Sequence, residues 1–169
     1  VNTVVFRDGK YIGHNTDWSG YAANFRRTLP DASLERVGQV GAGGAASAVG
    51  YALLTLGARE LQLFDVDRAR ATALAERLQK LFPETRVSAV SRVEDAITGA
   101  SGVVQTSPIG MSTHPGVPFS PDLLSSEQWF SEGIYFPRET ELLAQARAKG
   151  CPTVSGVGMA VFQAADAFE

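Results

Sequence analysis

The chain has 169 residues, of which 44% are hydrophobic, and a formal net charge of −3. This length and composition predict one globular unit with a sizeable core. The acidic balance argues against binding to nucleic acid or to an anionic membrane surface, and the sequence has no run of 18 apolar residues that could span a bilayer. The single cysteine, Cys151, cannot form an internal disulfide, and no Cys/His cluster predicts a metal site, so the cytoplasm is the expected location.

The predicted elements begin with a β-hairpin and continue as alternating strands and helices. The hairpin joins residues 3–6 and 10–13 through an Arg-Asp-Gly turn, and a helix should follow from Asp17, which can cap it, to about Thr28. Further strands are predicted at 37–40, 60–64, 86–90, 102–106, 133–136 and 153–155, with helices at 44–56, 68–82, 92–98, 139–149 and from about 158. This alternation predicts an α/β fold: a Rossmann-type, doubly wound parallel sheet with helices on both faces and ligands at the carboxyl ends of its strands.

A glycine-rich turn between the predicted strand at 37–40 and the predicted helix at 44–56 indicates a dinucleotide site. Gly41 allows a tight bend, Gly43 lets the backbone approach a pyrophosphate, and Ala46 is small enough for close packing of helix on strand. The start of the helix offers unpaired N–H groups to the phosphates. The predicted cofactor contacts in this turn are Gly41, Ala42, Gly43, Gly44, Ala45 and Ala46.

An acidic residue at the end of the next strand indicates which dinucleotide binds. Asp65 lies 24 residues after Gly41, where a carboxylate can accept hydrogen bonds from the ribose hydroxyls and would repel a 2′-phosphate. The next residue, Val66, cannot bind a phosphate as an arginine would. NAD is therefore favoured over NADP, although Arg68 and Arg70, the latter a candidate cofactor contact, keep NADP open.

Polar and small residues follow the strands on the other half of the sheet, where the nicotinamide should lie. Thr106, Ser107 and Pro108 form one such group, and Gly156 with Met159 forms a second, in which the thioether offers an apolar surface to a ring. An ordinary loop is the alternative for the first group. Gln163, one helical turn beyond Met159, should face the same cleft unless it is a solvated side chain.

These segments together resemble the shikimate dehydrogenase family over nearly the whole chain. Four motifs carry the resemblance: Asn-Thr at 2–3 with Gly-His-Asn-Thr-Asp at 13–17, the glycine turn at 41–46, the 105–111 loop, and the pair formed by 135–143 and 156–164. The family implies reversible oxidation of a ring hydroxyl of shikimate by hydride transfer to a nicotinamide.

The resemblance also implies roles for individual residues and for parts of the chain. Asn2, Asp17, Tyr135 and Gln163 match substrate-binding positions, and Asp17 is also the catalytic carboxylate, which works beside a lysine. Gly133 and Gly156 match backbone contacts to the nicotinamide. Residues 1–16 would be the last hairpin of the substrate domain, 17–155 the NAD-binding Rossmann domain, and 156–169 the start of a helix that returns to the substrate domain.

Three departures from the family pattern shape the expected function. The segment that should hold the catalytic lysine precedes Val1, so this chain should bind cofactor but turn over poorly alone. Gln105 and Thr106 replace the usual Asn-Ala, and Asp65-Val66 replaces the Asn-Arg of NADP-dependent members. The last swap is similar to NAD-dependent quinate/shikimate dehydrogenases, whose substrates are hydroxylated cyclohexane or cyclohexene carboxylates. An NADP-dependent biosynthetic shikimate dehydrogenase, an aminoshikimate-type relative, a non-catalytic dinucleotide-sensing module and a homodimer stay open.

Overall fold

The molecule contains a small antiparallel hairpin and a six-stranded parallel sheet covered by helices, in a computed structural model that describes residues 1–168. The strands are β1 (Thr3–Arg7), β2 (Lys10–His14), β3 (Arg36–Val40), β4 (Glu60–Phe64), β5 (Arg86–Ala89), β6 (Gly102–Gln105), β7 (Trp129–Glu132) and β8 (Thr153–Val154). The α-helices are α1 (Asp17–Thr28), α2 (Gly44–Thr55), α3 (Arg68–Leu81), α4 (Val93–Ile97), α5 (Glu141–Ala148) and α6 (Gly156–Asp166), with a 3₁₀ turn at Pro121–Leu123.

The strand order of the large sheet is β5-β4-β3-β6-β7-β8, and every neighbouring pair is parallel. The chain therefore moves outward from β3 in one direction and then from β6 in the other, which makes the gap between these strands the switch point where doubly wound folds bind ligands. This topology confirms the predicted Rossmann-type fold.

Two apolar cores lie on opposite faces of the sheet. On one face α1, α2, α3 and α6 pack through residues such as Phe25, Leu53, Leu74 and Met159. On the other face α5 and the shorter α4 pack through Ile97, Phe130, Leu142 and Leu143. The central strands β3, β6 and β7 are almost fully buried because both faces are covered, although each of them contains at least one polar residue. Within residues 1–168, no helix is long and apolar enough to cross a membrane.

The hairpin forms through a two-residue turn at Asp8 and Gly9, which is tighter than the predicted Arg-Asp-Gly turn because Arg7 pairs with Lys10. Both turn residues have positive φ, 53° and 73°, as a type I′ turn requires. Asp-Gly is a preferred sequence for that turn, so local chemistry sets the register of β1 and β2.

Predicted element boundaries differ from the structure near the carboxyl end of the chain. The strand predicted at 133–136 lies at Trp129–Glu132, the helix predicted at 139–149 lies at Glu141–Ala148, and the last helix begins at Gly156 instead of about 158. Glu132 interrupts the apolar pattern that identifies a strand, yet all four residues of β7 are buried and pair with β6. The correction moves Gly133 to the first position after the strand, at the carboxyl edge of the sheet.

Candidate active site

The glycine turn between β3 and α2 is anchored to both neighbouring strands. The N–H of Gly41 donates to the carbonyl of Phe64 at 2.8 Å, and Oγ1 of Thr106 donates to the carbonyls of Val40 at 2.9 Å and Gly41 at 3.1 Å. Gly41 has φ +104°, and a Cβ there would lie 2.7 Å from the backbone nitrogen of Ser107. Only glycine fits at this position, because the backbone is left-handed and the next loop is in contact.

The next part of the turn is open, as a bound pyrophosphate would need. A Cβ added to Gly43 or Gly44 would meet nothing within 4 Å among the described residues. Gly43 occupies the N-cap of α2, and within residues 1–168 no side chain caps this helix start. The first N–H groups of α2 therefore face free space, with the positive end of the helix dipole behind them. These residues fit the diphosphate of a dinucleotide.

Asp65, the carboxylate predicted to bind the ribose, lies directly beside the turn. Its Oδ2 accepts the N–H of Ala42 at 2.7 Å, and its Oδ1 accepts the N–H of Asp67 at 2.8 Å. Because a carboxylate oxygen accepts two hydrogen bonds, each oxygen keeps capacity for a hydroxyl donor. The structure thus gives Asp65 a second task that sequence reasoning missed, which is to hold the turn in place.

The residues after Asp65 do not form a phosphate-binding fork in this conformation. The side chain of Val66 is 96% exposed. Nε of Arg70 lies 3.3 Å from a carboxylate oxygen of Asp67, and Asp67 also caps α3 by accepting the N–H of Ala69 at 3.0 Å. Arg70 therefore pairs within its own helix start, and its contact with a cofactor stays a prediction.

The ends of β6, β7 and β8 align their backbones along the other half of the carboxyl edge. The N–H of Gly133 donates to the carbonyl of Gln105 at 2.9 Å, and the N–H of Gly156 donates to the carbonyl of Ile134 at 3.1 Å. A Cβ on Gly156 would lie 2.5 Å from the carbonyl oxygen of Gly133. The two glycines predicted to contact the nicotinamide are thus packed against each other.

Gln105, which departs from the family pattern, organises the loop that follows it. Its Nε2 donates to the carbonyl of Ile109 at 2.7 Å, and its Oε1 accepts the N–H of Ser107. Pro108 lies between these contacts, and its carbonyl accepts the N–H of Met111 at 3.1 Å. The loop of the predicted contacts Thr106, Ser107 and Pro108 is therefore internally bonded and is not an irregular linker.

Three residues predicted to bind substrate form one polar cluster, although they come from opposite ends of the chain. Nδ2 of Asn2 lies 2.9 Å from Oδ1 of Asp17 and 3.2 Å from Oε1 of Gln163. Thr16, to which sequence reasoning gave no role, joins them: it donates through Oγ1 to the carbonyl of Gln163 at 2.9 Å, and its N–H donates to Oδ1 of Asn2 at 2.9 Å. Thr16 occupies the N-cap of α1, so the suggestion that Asp17 caps the helix was wrong.

Close packing of α1 on α6 places Gln163 in this cluster. A Cβ on Gly20 would lie 2.5 Å from the backbone nitrogen of Gln163, and a Cβ on Gly158 would lie 2.0 Å from Oδ1 of Asn24. Asn24 in turn donates to the carbonyl of Ser155 at 3.0 Å, immediately before α6. Small residues at both contacts let the helix backbones approach, which fixes the helices relative to each other.

Two predicted site residues, Met159 and Tyr135, lie outside the polar cluster described above. Met159 is only 7% exposed and belongs to the core beside α1, so little of its surface is left for a ring. Tyr135 lies two residues beyond Gly133 and is 58% exposed. Their contacts with cofactor and substrate stay predictions.

A buried carboxyl group that the sequence did not suggest lies next to Gly133. Glu132 is 1% exposed; its Oε2 accepts the hydroxyl of Thr140 at 2.7 Å, and its Oε1 has no partner within residues 1–168. Burial raises the pKa of Glu132 to about 7, against the opposing effects of the Thr140 hydrogen bond and the positive charge of Arg147. The only sequence signal was an acidic residue inside an apolar run.

Comparisons with known proteins agree with the fold and the motifs. No family model matches the chain. It is 54% identical to shikimate dehydrogenase (NADP(+)) of Streptomyces avermitilis, over 99% of this chain and 58% of that protein. It is 46% identical to quinate/shikimate dehydrogenase (NAD(+)) of Corynebacterium efficiens, over 99% of this chain and 60% of that protein. The chain thus spans somewhat more than half the length of the curated relatives it matches.

A solved structure gives the same result in three dimensions. Quinate dehydrogenase from Corynebacterium glutamicum in complex with NAD superposes with a TM-score of 0.91 at 45% identity, over 98% of this chain and 60% of that one. The aligned region covers nearly the whole chain, and so includes the dinucleotide turn. By sequence and by fold, the chain belongs to the shikimate dehydrogenase family.

Proposed function

We propose that the chain is the cofactor-binding part of an NAD-dependent dehydrogenase that oxidises a ring hydroxyl of quinate or shikimate. The observation that carries this proposal is one scaffold holding both the open glycine turn beside Asp65 and the cluster of Asn2, Asp17 and Gln163. The first fits a dinucleotide, and the second fits a polyhydroxylated ring. Relatives of this family are named for the same reaction class.

The proposed cofactor contacts follow the carboxyl edge of the sheet. The turn at 41–46 and the start of α2 would bind the pyrophosphate, Asp65 the adenosine ribose, and the backbone near Gly133 and Gly156 the nicotinamide. When bound, NAD supplies the hydride acceptor. The protein's part is to hold the nicotinamide against the substrate and to keep both in a fixed geometry.

The proposed substrate contacts are the polar cluster and Tyr135. The carboxylate of Asp17 can accept a hydrogen bond from the reacting hydroxyl or a neighbouring one, and can help to move its proton. The amide groups of Asn2 and Gln163 can bind further hydroxyls, because each amide offers donors and an acceptor. In this proposal residues 1–16 belong to the substrate domain, and α6 connects the two parts.

The choice of NAD depends on the charge and geometry around Asp65. A carboxylate there favours two ribose hydroxyls and disfavours a phosphate, Val66 offers no positive charge, and Arg70 pairs with Asp67. The relative named for NADP at 54% identity supports the second candidate, an NADP-dependent shikimate dehydrogenase. A non-catalytic dinucleotide-sensing module fits less well, since it has no use for the Asn2 cluster.

Thermal denaturation with each cofactor tests the proposal directly. At equal concentrations, NAD should raise the melting temperature well above any rise with NADP, because stabilisation grows with the ratio of ligand concentration to Kd. Equal shifts would contradict the NAD assignment. The absence of a shift with both cofactors would contradict dinucleotide binding itself.

A charge swap tests the residue assignment. Asp65→Asn with Val66→Arg should raise the affinity for NADP relative to NAD by about tenfold or more, because the arginine can bind the 2′-phosphate. Asp31→Asn is the control for loss of one negative charge, since Asp31 is exposed and lies in the loop before β3, away from the glycine turn. An unchanged NADP-to-NAD ratio in the double variant would show that Asp65 does not contact the ribose.

A further inference from the structure

A fully buried glutamine lies under the glycine turn. Gln39 is the fourth residue of β3, in which Val37 and Val40 are also buried, and its side chain has no exposure to solvent. Its Nε2 lies 3.2 Å from the carbonyl oxygen of Gly41 and 3.0 Å from that of Ala46. We infer that Gln39 is a positioning residue for the pyrophosphate-binding turn. Its two hydrogen bonds connect Gly41, the first residue of that turn, to Ala46 near the start of helix α2.

The hydrogen bonds around the turn explain what this tie controls. The carbonyl of Gly41 is held by Gln39 on one side and by Oγ1 of Thr106 on the other, at 3.1 Å. The N–H of Ala42, which belongs to the same peptide group, donates to Asp65 at 2.7 Å. Both ends of this peptide group are therefore fixed, so it cannot rotate and redirect the N–H groups that follow it. A turn that is already ordered loses less entropy when a ligand binds.

The second bond of Gln39 sets where α2 begins. The carbonyl of Ala46 lies in the first turn of the helix, three residues after the N-cap Gly43. A rotation of α2 about its axis, or a shift along it, would break this bond. Gln39 thus links the direction of the helix N–H groups to the position of the turn.

The unpartnered oxygen of Gln39 argues that the residue is not there for packing. Within residues 1–168, Oε1 has no hydrogen-bond partner, and α2 approaches it so closely that a Cβ on Gly50 would lie 3.2 Å away. A buried acceptor without a partner lowers stability, and an apolar side chain of the same size would avoid that cost. The benefit of glutamine here must come from the two carbonyl contacts.

A second buried glutamine offers a matched control, because it makes the same kind of contact far from the site. Nε2 of Gln128 donates to the carbonyls of Ile97 at 2.7 Å and Ala100 at 3.0 Å. Gln128 precedes β7 and so lies at the amino edge of the sheet, opposite the glycine turn. Gln39→Met and Gln128→Met each remove two buried amide–carbonyl bonds with little change in volume, and Gln128→Met also removes the bond that Oε1 of Gln128 accepts from the N–H of Ser125 at 3.0 Å.

The test measures ligand affinity and melting temperature for the two variants and the wild-type chain. Gln39→Met should weaken the binding of NAD and of ADP-ribose about tenfold. The affinity for adenosine, which has no pyrophosphate, should stay within about twofold of the wild-type value. Gln128→Met should lower the melting temperature at least as much as Gln39→Met, because it removes one more hydrogen bond, but should leave all three affinities within about twofold. Unchanged NAD and ADP-ribose affinity in Gln39→Met, or an equal loss for adenosine, would overturn the inference.

If Gln39→Met does not fold, Gln39→Asn against Gln128→Asn repeats the test with a smaller change, since the shorter amide cannot reach both carbonyls. The inference rests on the proposed dinucleotide function. Measurements on the wild-type chain distinguish failure of the function from failure of the inference. Lack of NAD binding by the wild-type chain contradicts the proposed function, whereas normal NAD binding by both Gln39 variants contradicts only the role of Gln39.

Discussion

The two halves of the carboxyl edge are built in different ways. The half proposed to bind the pyrophosphate uses one continuous stretch, from β3 to the start of α3, and its turn is bonded to the strand ends beside it. The half proposed to bind the substrate draws Asn2, Asp17 and Gln163 from distant parts of the chain. In the first half a carboxylate is bonded to the backbone of the turn, whereas in the second half the three side chains are bonded to one another.

In the proposed function, this difference separates two tasks. Binding the invariant part of a dinucleotide benefits from a preformed turn, because order that exists beforehand costs nothing on binding. Recognition of one hydroxylated ring among several needs side chains whose hydrogen bonds can be exchanged for those of the substrate. Variants in one half should therefore change cofactor affinity, and variants in the other half should change turnover.

The largest effect is expected for Asp17→Asn in the whole protein. Loss of the carboxylate should lower kcat by about 10³-fold, because a positioned acid–base group contributes on that order. The Kd for NAD should change less than about twofold. Asp31→Asn, in the loop before β3, is the control for loss of one negative charge. Weaker NAD binding in place of slower turnover would show that the two halves are not separate.

A smaller effect, on stability and cofactor binding together, is expected for Gly41→Ala. A side chain there needs left-handed backbone and meets Ser107 at 2.7 Å, so unfolding free energy should fall by about 3 kcal/mol and NAD binding should weaken. Gly57→Ala is the matched control: Gly57 has the same φ of +104°, with nothing within 4 Å among residues 1–168. It should cost roughly 1 kcal/mol and leave affinity unchanged. Similar losses in both variants would mean that contact with the 106–107 backbone is unimportant.

The smallest effect is a pH dependence that comes from Glu132. Its folded-state pKa of about 7 lies above the ordinary value of 4.5, so the stability of the neutral form is fully present below about 4.5 and is lost as pH rises through 7. Glu132→Gln keeps an acceptor for Thr140 and cannot ionise. The variant should be more stable than wild type by about 2 kcal/mol at pH 6, and the gain should vanish near pH 4.

Denaturant unfolding at several pH values measures this gain. Glu84→Gln, at an exposed position, controls for the change in net charge. A constant difference between Glu132→Gln and wild type across the pH range would rule out titration of Glu132. Glu132 lies at the end of β7, beside Gly133 and outside the glycine turn, so this pH dependence belongs to that end of the sheet and not to the glycine turn.

Sequence reasoning succeeded where the physical signals are local. The glycine turn, the strand before it and Asp65 lie within 30 residues, and each residue type has a steric or electrostatic reason to be there. The Asp8–Gly9 turn likewise specifies its hairpin without help from the rest of the chain. Asn2, Asp17 and Gln163 were named from a family resemblance, and the structure brings their side chains together.

It failed where burial depends on partners that the sequence does not show. The strand was predicted at 133–136 and so missed Glu132, because an acidic residue rarely lies in a buried strand and the hydroxyl of Thr140, its hydrogen-bond partner, is eight residues away. Gln39 was taken as an ordinary strand residue, since its two acceptors are visible only after α2 has folded back. Thr16 was passed over for the same reason, because its partner is 147 residues away.

Helix α6 sets a fixed length between the two halves of the edge. It is packed at Gly156 against the nicotinamide side and reaches the Asn2 cluster at Gln163, seven residues later, which is about 10 Å along a helix axis. Insertion of one residue between them would turn Gln163 by about 100° and carry it out of the cluster. In the proposed function, the distance between the backbone that binds the nicotinamide and the Asn2 cluster is therefore set by the rise of α6, so a substitution at either end leaves that distance unchanged and an insertion within the helix does not.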